Sequence, residues 1–179
     1  MRMTVRDANA RYTAYRIVHA VFTALCFGAA LGGLIYALIA LNDMPDTVGY
    51  HFAQNGYFDL FGDKRIAFLH PVIAEWLLLA IFNLVAFGAY RTKPLKLFSP
   101  AGNRRIADLV AATCDLLCLA TAVIFGHWIY CVAEQTPLRV TFVEVPFTLA
   151  IAAVALLVVG LLVAIICLRI RANRAKRTP

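Results

Sequence analysis

Four long apolar stretches, separated by short polar ones, dominate the pattern of this sequence. They cover residues 17–41, 66–90, 106–132 and 145–168. A helix needs about 20 predominantly apolar residues to cross the hydrocarbon core of a bilayer, and each stretch reaches that length. The pattern therefore predicts an all-α integral membrane protein, a bundle of four transmembrane helices that forms a single domain over residues 1–179.

The composition agrees with a membrane protein. Hydrophobic residues make up 62% of the chain and the mean hydropathy is +0.76, whereas an ordinary soluble domain is about 45–50% apolar. The first apolar stretch is much longer than the apolar region of a signal peptide, so we expect it to remain in the protein as a span.

The basic residues predict how the helices are oriented. Of the 17 Lys and Arg residues, all but Lys64, Arg65 and Arg139 lie before the first span, between the second and third, or after the fourth. Because cytoplasmic loops are enriched in basic residues, both termini, a linker at 91–105 and a tail at 169–179 are predicted to be cytoplasmic. This distribution explains the net charge of +7 without nucleic-acid binding, and the basic face is expected to contact anionic lipid headgroups.

The polar segment between the first two spans, residues 42–65, is predicted to form a small extracytoplasmic cap. Asn55-Gly56 is a strong signal for a two-residue hairpin of type I′, and residues 47–53 and 57–61 on either side are rich in β-branched and aromatic residues. Such aromatic side chains are typical of a membrane–water interface. We therefore expect a folded β-hairpin lying on the helix ends.

The order of residues in this segment carries a family resemblance. The residues concerned are Pro45, His51, Gly56, Asp59, Gly62 and Lys64. Their order resembles the loop of a bacterial membrane family described as domain of unknown function 1648, which is also the N-terminal domain of SdpI-type (sporulation-delaying-protein immunity) proteins. Gly49 and Ala53 stand where that family has a proline and often an asparagine.

The resemblance implies a function and a location. The chain would be a multi-pass protein of a bacterial plasma membrane that binds a ligand or toxin peptide outside the cell. It would act in immunity, or in signalling to a cytoplasmic regulator. The segment around the six motif residues would be the ligand-binding site. The sequence contains no nucleophile elbow, phosphate loop or paired-histidine motif, so no catalytic residue is predicted.

Three polar residues are predicted to lie inside the membrane, namely Glu75, Asn83 and Asp115. Counted from the start of each apolar stretch, Glu75 and Asp115 are each about 14 Å deep, near the middle of the bilayer. Ionisable residues at this depth usually face the bundle interior. They could form a proton or cation pathway, or serve as hydrogen-bonding groups that hold the helices together.

Histidines in the predicted cap and near the outer ends of the second and third spans suggest an alternative function. His51, His70 and His127, with Asp59, could bind zinc and support a metal-dependent membrane enzyme. The alternative is that these side chains stabilise the cap, with His51 bonded to an aspartate or a backbone carbonyl. No recognised metal motif is present, so the expectation is no cofactor, with zinc as the alternative. The five cysteines lie in the apolar stretches, where they are expected to behave as small apolar residues.

Two further features concern packing. Ala24, Gly28 and Gly32 repeat every four residues in the first span, which predicts a face in close contact with another helix or, alternatively, a homodimer interface. The composition of residues 139–145 is typical of a strand, and this segment is expected to pair with the cap hairpin.

Overall fold

The computed structural model describes residues 5–91, 100–139 and 141–175. Its four helices each contain a segment long and apolar enough to cross a membrane, which confirms the predicted helical architecture of a multi-pass membrane protein. A two-stranded hairpin joins the first two helices. The elements are α1 (Val5–Ala40), β1 (Thr47–Phe52), β2 (Phe58–Asp63), α2 (Lys64–Arg91), α3 (Pro100–Glu134) and α4 (Thr141–Ala175).

Helix α3 lies at the centre of the bundle. It packs against α1, α2 and α4, whereas α4 packs on α3 alone among the described helices. Large apolar side chains on the outside of the bundle are exposed, up to 73% for Leu156 on α4, as expected for a surface that faces lipid. We call the end of the bundle that carries the hairpin the cap end, and the other the opposite end.

The buried face of α1 differs from the predicted one. Cys26, Ala30 and Ala37 are buried, at spacings of four and seven residues that keep them on one side of the helix. A Cβ atom added at Gly28 or Gly32 would meet no atom within 4 Å. The prediction that the Ala24 face packs against a neighbouring helix of this chain is therefore wrong, because the helix is rotated, and the homodimer interface stays a prediction.

Several boundaries also differ from those predicted. Residues 100–105 of the predicted linker belong to α3, and α4 continues to Ala175 through most of the predicted tail. The strand expected at 139–145 is wrong, since α4 begins at Thr141. β-Propensity depends on context, and a helix satisfies its own backbone hydrogen bonds at the end of a span.

The hairpin confirms the predicted folded cap. Its strands are antiparallel, with Thr47 opposite Asp63 and Phe52 opposite Phe58. The pairing is irregular between Gly49 and Phe52, as in a β-bulge. Beneath the strands, the preceding connection and β1 contribute buried Met44 and Val48 to a cluster with Ala37, Phe68 and Ile129. Side chains of the cap thus complete the hydrophobic core at this end of the bundle.

Candidate functional site: the cap and the polar interior

The hairpin turn lies where it was predicted, but its type differs. Ala53 N–H donates to the Tyr57 carbonyl at 2.8 Å, and Gly56 N–H donates to the Ala53 carbonyl at 2.8 Å. These bonds close a three-residue loop in which Gly56 has a φ of 82°, a conformation that favours glycine. Asn55 has no positive φ, so the type I′ prediction is wrong; its side chain instead accepts a hydrogen bond from Tyr57 N–H at 3.1 Å, as asparagine often does in turns.

Two of the motif residues form a pair across the hairpin. His51 Nδ1 and Asp59 Oδ1 are 2.6 Å apart, and both side chains are substantially exposed. The position of the pair agrees with the structural alternative, in which His51 bonds an aspartate and stabilises the cap. Exposed ion pairs contribute at most about 1 kcal/mol, so this pair orients side chains more than it stabilises the fold.

Lys64 closes the base of the cap. Its Nζ donates to the Met44 carbonyl at 2.9 Å and lies 3.3 Å from Asp46 Oδ1. Its backbone N–H donates to the Asp46 carbonyl at 3.1 Å. The chain segments that enter and leave the hairpin, on either side of Pro45, are therefore joined by one lysine at the first residue of α2.

Two glycines allow close approaches inside the hairpin. A Cβ atom at Gly49 would lie 2.3 Å from Cγ of Phe58, a separation that real Cβ atoms do not adopt. A Cβ atom at Gly62 would lie 3.1 Å from the Tyr50 ring. Glycine is thus needed at position 49, where the family that the loop resembles has a proline, because the Phe58 ring packs directly over the backbone.

Gln135, the residue that follows α3, attaches the hairpin to the bundle. Its Oε1 accepts the Gly49 N–H at 2.9 Å and its Nε2 donates to the Gly49 carbonyl at 3.2 Å. The same Nε2 donates to the Val132 carbonyl at 2.7 Å. Gln135 has a φ of 49°, as is common at the end of a helix. Its amide group therefore occupies the edge of β1 in the manner of a neighbouring strand.

Two further contacts hold the cap on α3 and the connection that follows it. Trp128 Nε1 donates to the Tyr50 carbonyl at 3.1 Å, and its ring packs edge-on against Phe52 at 5.9 Å between centroids. Leu138 N–H donates to the Gly56 carbonyl at 2.8 Å. The cap is thus fixed to α3 along β1, and to the connection that follows α3 at its turn.

Three large apolar side chains of the hairpin are exposed. Tyr57, Leu60 and Phe61 are 62%, 50% and 63% exposed, although β1 is fixed against the bundle. Large exposed apolar side chains often belong to a binding site or a contact with a membrane. We call these three side chains the cap surface.

Inside the bundle, Asp115 pairs with a histidine that the sequence analysis did not single out. His19 Nδ1 on α1 lies 2.5 Å from Asp115 Oδ1 on α3, and the side chains are 18% and 17% exposed. Like the hydrogen-bonding groups that were predicted to hold the helices together, this pair joins two helices. It lies near the opposite end of the bundle, because His19 is only two residues from the start of its membrane-length segment at Ile17.

Asn83 joins the three helices one turn further along. It accepts a hydrogen bond from Thr23 Oγ1 on α1 at 2.8 Å. Its Nδ2 donates to the Leu79 carbonyl at 2.8 Å and to Cys118 Sγ on α3 at 3.5 Å. These contacts place Asn83 in the interior, as predicted, in a helix-joining role.

Glu75 also faces the interior, at 1% exposed, but it lies far from Asp115. It is eight residues from Asn83 towards the cap end, while Asp115 is three residues from Cys118 in the other direction. At about 1.5 Å per residue the two carboxyl groups are roughly 16 Å apart along the bundle. The expectation that both lie at one depth is wrong, because depth was counted from opposite ends of the bundle and the two membrane-length segments, of 28 and 31 residues, are longer than the roughly 30 Å of the hydrocarbon core.

The space between Glu75 and Asn83 is apolar. Buried Cys26, Ala30, Leu79 and Cys118 pack together there. Within the part of the chain that the structure describes, Glu75 Oε2 has no hydrogen-bond partner. A continuous polar route through Glu75 and Asp115 is therefore interrupted, and we do not propose a proton or cation pathway.

Each of the histidines considered for zinc has a partner of its own, and of that described set only His51 and Asp59 form a pair with each other. His51 pairs with Asp59, and His70 stacks on a tyrosine ring of β1. His127 Nε2 accepts a hydrogen bond from Arg139 N–H at 3.2 Å. Among the residues that the structure describes, no group of three His, Cys, Asp or Glu side chains is arranged to hold a metal ion.

Sequence reasoning missed His19, Thr23 and Gln135. His19 and Thr23 continue the spacing of the buried residues Cys26 and Ala30, at alternating intervals of four and three, so this repeat could have identified both. Gln135 has no such signal, because its role depends on where the hairpin folds back.

Comparison of the chain with protein-family models, curated proteins and solved structures finds no match in any of the three. The class of protein is therefore defined by the architecture alone. It is a bundle of four helices of membrane-spanning length, with a β-hairpin docked on the end of its central helix.

Proposed function

We propose that the chain is an integral membrane protein whose cap binds an apolar segment of an extracytoplasmic peptide. The observation that supports this function is the cap surface, three large side chains that are at least half exposed on a hairpin fixed to the bundle. A fixed apolar surface binds a partner with little loss of conformational entropy, since its side chains and backbone are already ordered. The distribution of Lys and Arg along the chain predicts that this surface faces the outside of the cell.

The resemblance of residues 44–64 to SdpI-type proteins supports an immunity role. In that role the ligand is a secreted toxin peptide, and binding at the cap keeps it from the membrane. His51 and Asp59 lie on the same hairpin as the cap surface and would give the binding site a polar edge.

Signalling is the second form of this proposal. Helix α3 carries Trp128, which contacts the cap, and Asp115, which joins α1 near the opposite end. A change in the docking of the cap would therefore reach the His19–Asp115 pair through one helix. A cytoplasmic regulator would read that change.

Survival of cells tests the proposal. A susceptible bacterium that expresses the chain is challenged with secreted membrane-active peptides, and survival is compared with that of cells without it. The double variant Leu60→Ser/Phe61→Ser should reach the membrane in normal amounts and lose protection. The matched control is Leu84→Ser/Phe87→Ser, which changes the same residue types on exposed positions of α2. Protection by the cap variant equal to that of the wild type contradicts the proposal, as does a wild type that protects against none of the peptides.

A further inference from the structure

A separate pocket opens at the cap end, between α3 and the connection to α4. Its volume is about 590 Å³, and it is lined by His127, Tyr130 and Cys131 on α3 and by residues 136–139. It lies at the boundary of the membrane-length segment of α3, which ends at Glu134. The pocket is thus at the level where lipid headgroups meet the protein.

The connection that forms one wall of the pocket is held in place. Thr136 N–H donates to the Cys131 carbonyl at 3.0 Å, and Leu138 N–H donates to the Gly56 carbonyl of the cap at 2.8 Å. Arg139 N–H donates to His127 Nε2 at 3.2 Å. These bonds fix the backbone on both sides of Pro137, so the pocket does not depend on a ligand for its shape.

Arg139 gives the pocket a positive charge without a counterion. It forms no ion pair with any carboxylate in the described ranges. Of the acidic side chains at this end, Glu134 accepts a hydrogen bond from Tyr36 at 2.5 Å and Asp46 lies beside Lys64, while Glu144 is exposed in the first turn of α4 and forms no ion pair with Arg139. Helix α4 begins at Thr141, and the positive end of its dipole adds to the charge of the guanidinium.

We propose that this pocket binds the phosphate group of an anionic phospholipid. A guanidinium forms paired hydrogen bonds with phosphate oxygens, and the Thr136 and Tyr130 hydroxyl groups on the pocket wall supply further donors. Tyr130 and Leu138 offer apolar surface to the glycerol region of the same lipid. A lipid is favoured over soluble phosphate because the pocket lies at the end of a span. The site is independent of peptide binding by the cap surface.

Lipid binding to single variants tests this site. Detergent-purified protein is titrated with phosphatidylglycerol or phosphatidylcholine, and bound lipid is counted by native mass spectrometry. Arg139→Gln should weaken phosphatidylglycerol binding about fivefold, the factor that corresponds to about 1 kcal/mol for one basic residue near a lipid surface. Thr136→Asp, which places a negative charge in the pocket from an exposed position, should do the same. Arg65→Gln, which removes an exposed arginine elsewhere at this end, should have little effect.

The arms of the experiment separate the sources of phosphate. Basic residues at the opposite end are the same in every variant, so the difference between Arg139→Gln and Arg65→Gln isolates the pocket. Equal phosphatidylglycerol binding by the wild type, Arg139→Gln and Thr136→Asp overturns the proposal. The proposal is also overturned if inorganic phosphate stabilises the wild type more than Arg139→Gln while the two proteins bind phosphatidylglycerol equally. If Arg139→Gln does not fold, Thr136→Asp decides.

Discussion

Replacing Gln135 by leucine should release the cap from the bundle. Leucine has nearly the same size but neither donor nor acceptor, so Gly49 loses the hydrogen bonds to its N–H and its carbonyl. A hydrogen bond contributes about 1 kcal/mol net, and Gly49 is buried. The docked hairpin should therefore lose about 2 kcal/mol, which corresponds to a roughly 30-fold rise in the population of its open form.

Hydrogen exchange of the backbone amides measures this opening. In Gln135→Leu the amides of β1 should exchange about 30-fold faster, while those in the middle of α3 keep their protection. Gln54→Leu is the matched control, because Gln54 is exposed in the hairpin turn. Its exchange rates should stay at those of the wild type.

A second variant distinguishes docking from helix capping. Gln135 has a positive φ at the end of α3, a conformation that glycine adopts more easily. Gln135→Gly should therefore preserve the helix end and still release β1. If β1 in Gln135→Gly exchanges as slowly as in the wild type, the amide does not hold the cap and the reasoning is refuted.

Three other experiments test buried contacts of the protein, each by thermal unfolding in detergent. Gly49→Ala should destabilise the protein by about 1–3 kcal/mol, because the new Cβ would lie 2.3 Å from a ring carbon of Phe58. Gly88→Ala, which has open space around it, should be neutral. Equal effects of the two substitutions would contradict the packing argument. In a double-mutant cycle, His19→Gln and Asp115→Asn should show a coupling of about 1–3 kcal/mol, and additive effects would mean that the pair contributes nothing. Glu75→Gln should keep the melting temperature, because an amide of the same shape fills the buried position, and a large decrease would show that the carboxyl group itself is required.

The sequence predicted the helices well because their signal is local. A span needs a continuous apolar stretch, and the bilayer thickness sets its length, so four helices follow from four stretches. The cap was also predictable, since Gly56 and the aromatic residues on either side indicate a turn between two strands. The turn type was not, because the three-residue loop depends on the bond between Ala53 and Tyr57.

Contacts between distant segments could not be read from the same patterns. The depth of Asp115 was counted from its own helix, but the partner that locates it is His19, 96 residues away in the chain. Likewise, the strand-like composition of residues 139–145 gave no indication that α4 would begin at Thr141. Packing between helices decided these features, and a single sequence contains only an indirect record of it.

The side of the membrane on which the cap lies is the most direct test of the account. Single cysteines are introduced by Leu60→Cys in the cap and, in a separate variant, by Arg91→Cys at the opposite end; both positions are exposed. Intact cells are treated with a membrane-impermeant maleimide, and the wild type reports the background from the native cysteines, of which Cys26, Cys114, Cys118 and Cys131 are buried. The account predicts that the Leu60→Cys variant is labelled in intact cells and the Arg91→Cys variant only after permeabilisation. Labelling of Arg91→Cys in intact cells, with Leu60→Cys protected until permeabilisation, would place the cap in the cytoplasm and contradict a function in binding extracytoplasmic peptides.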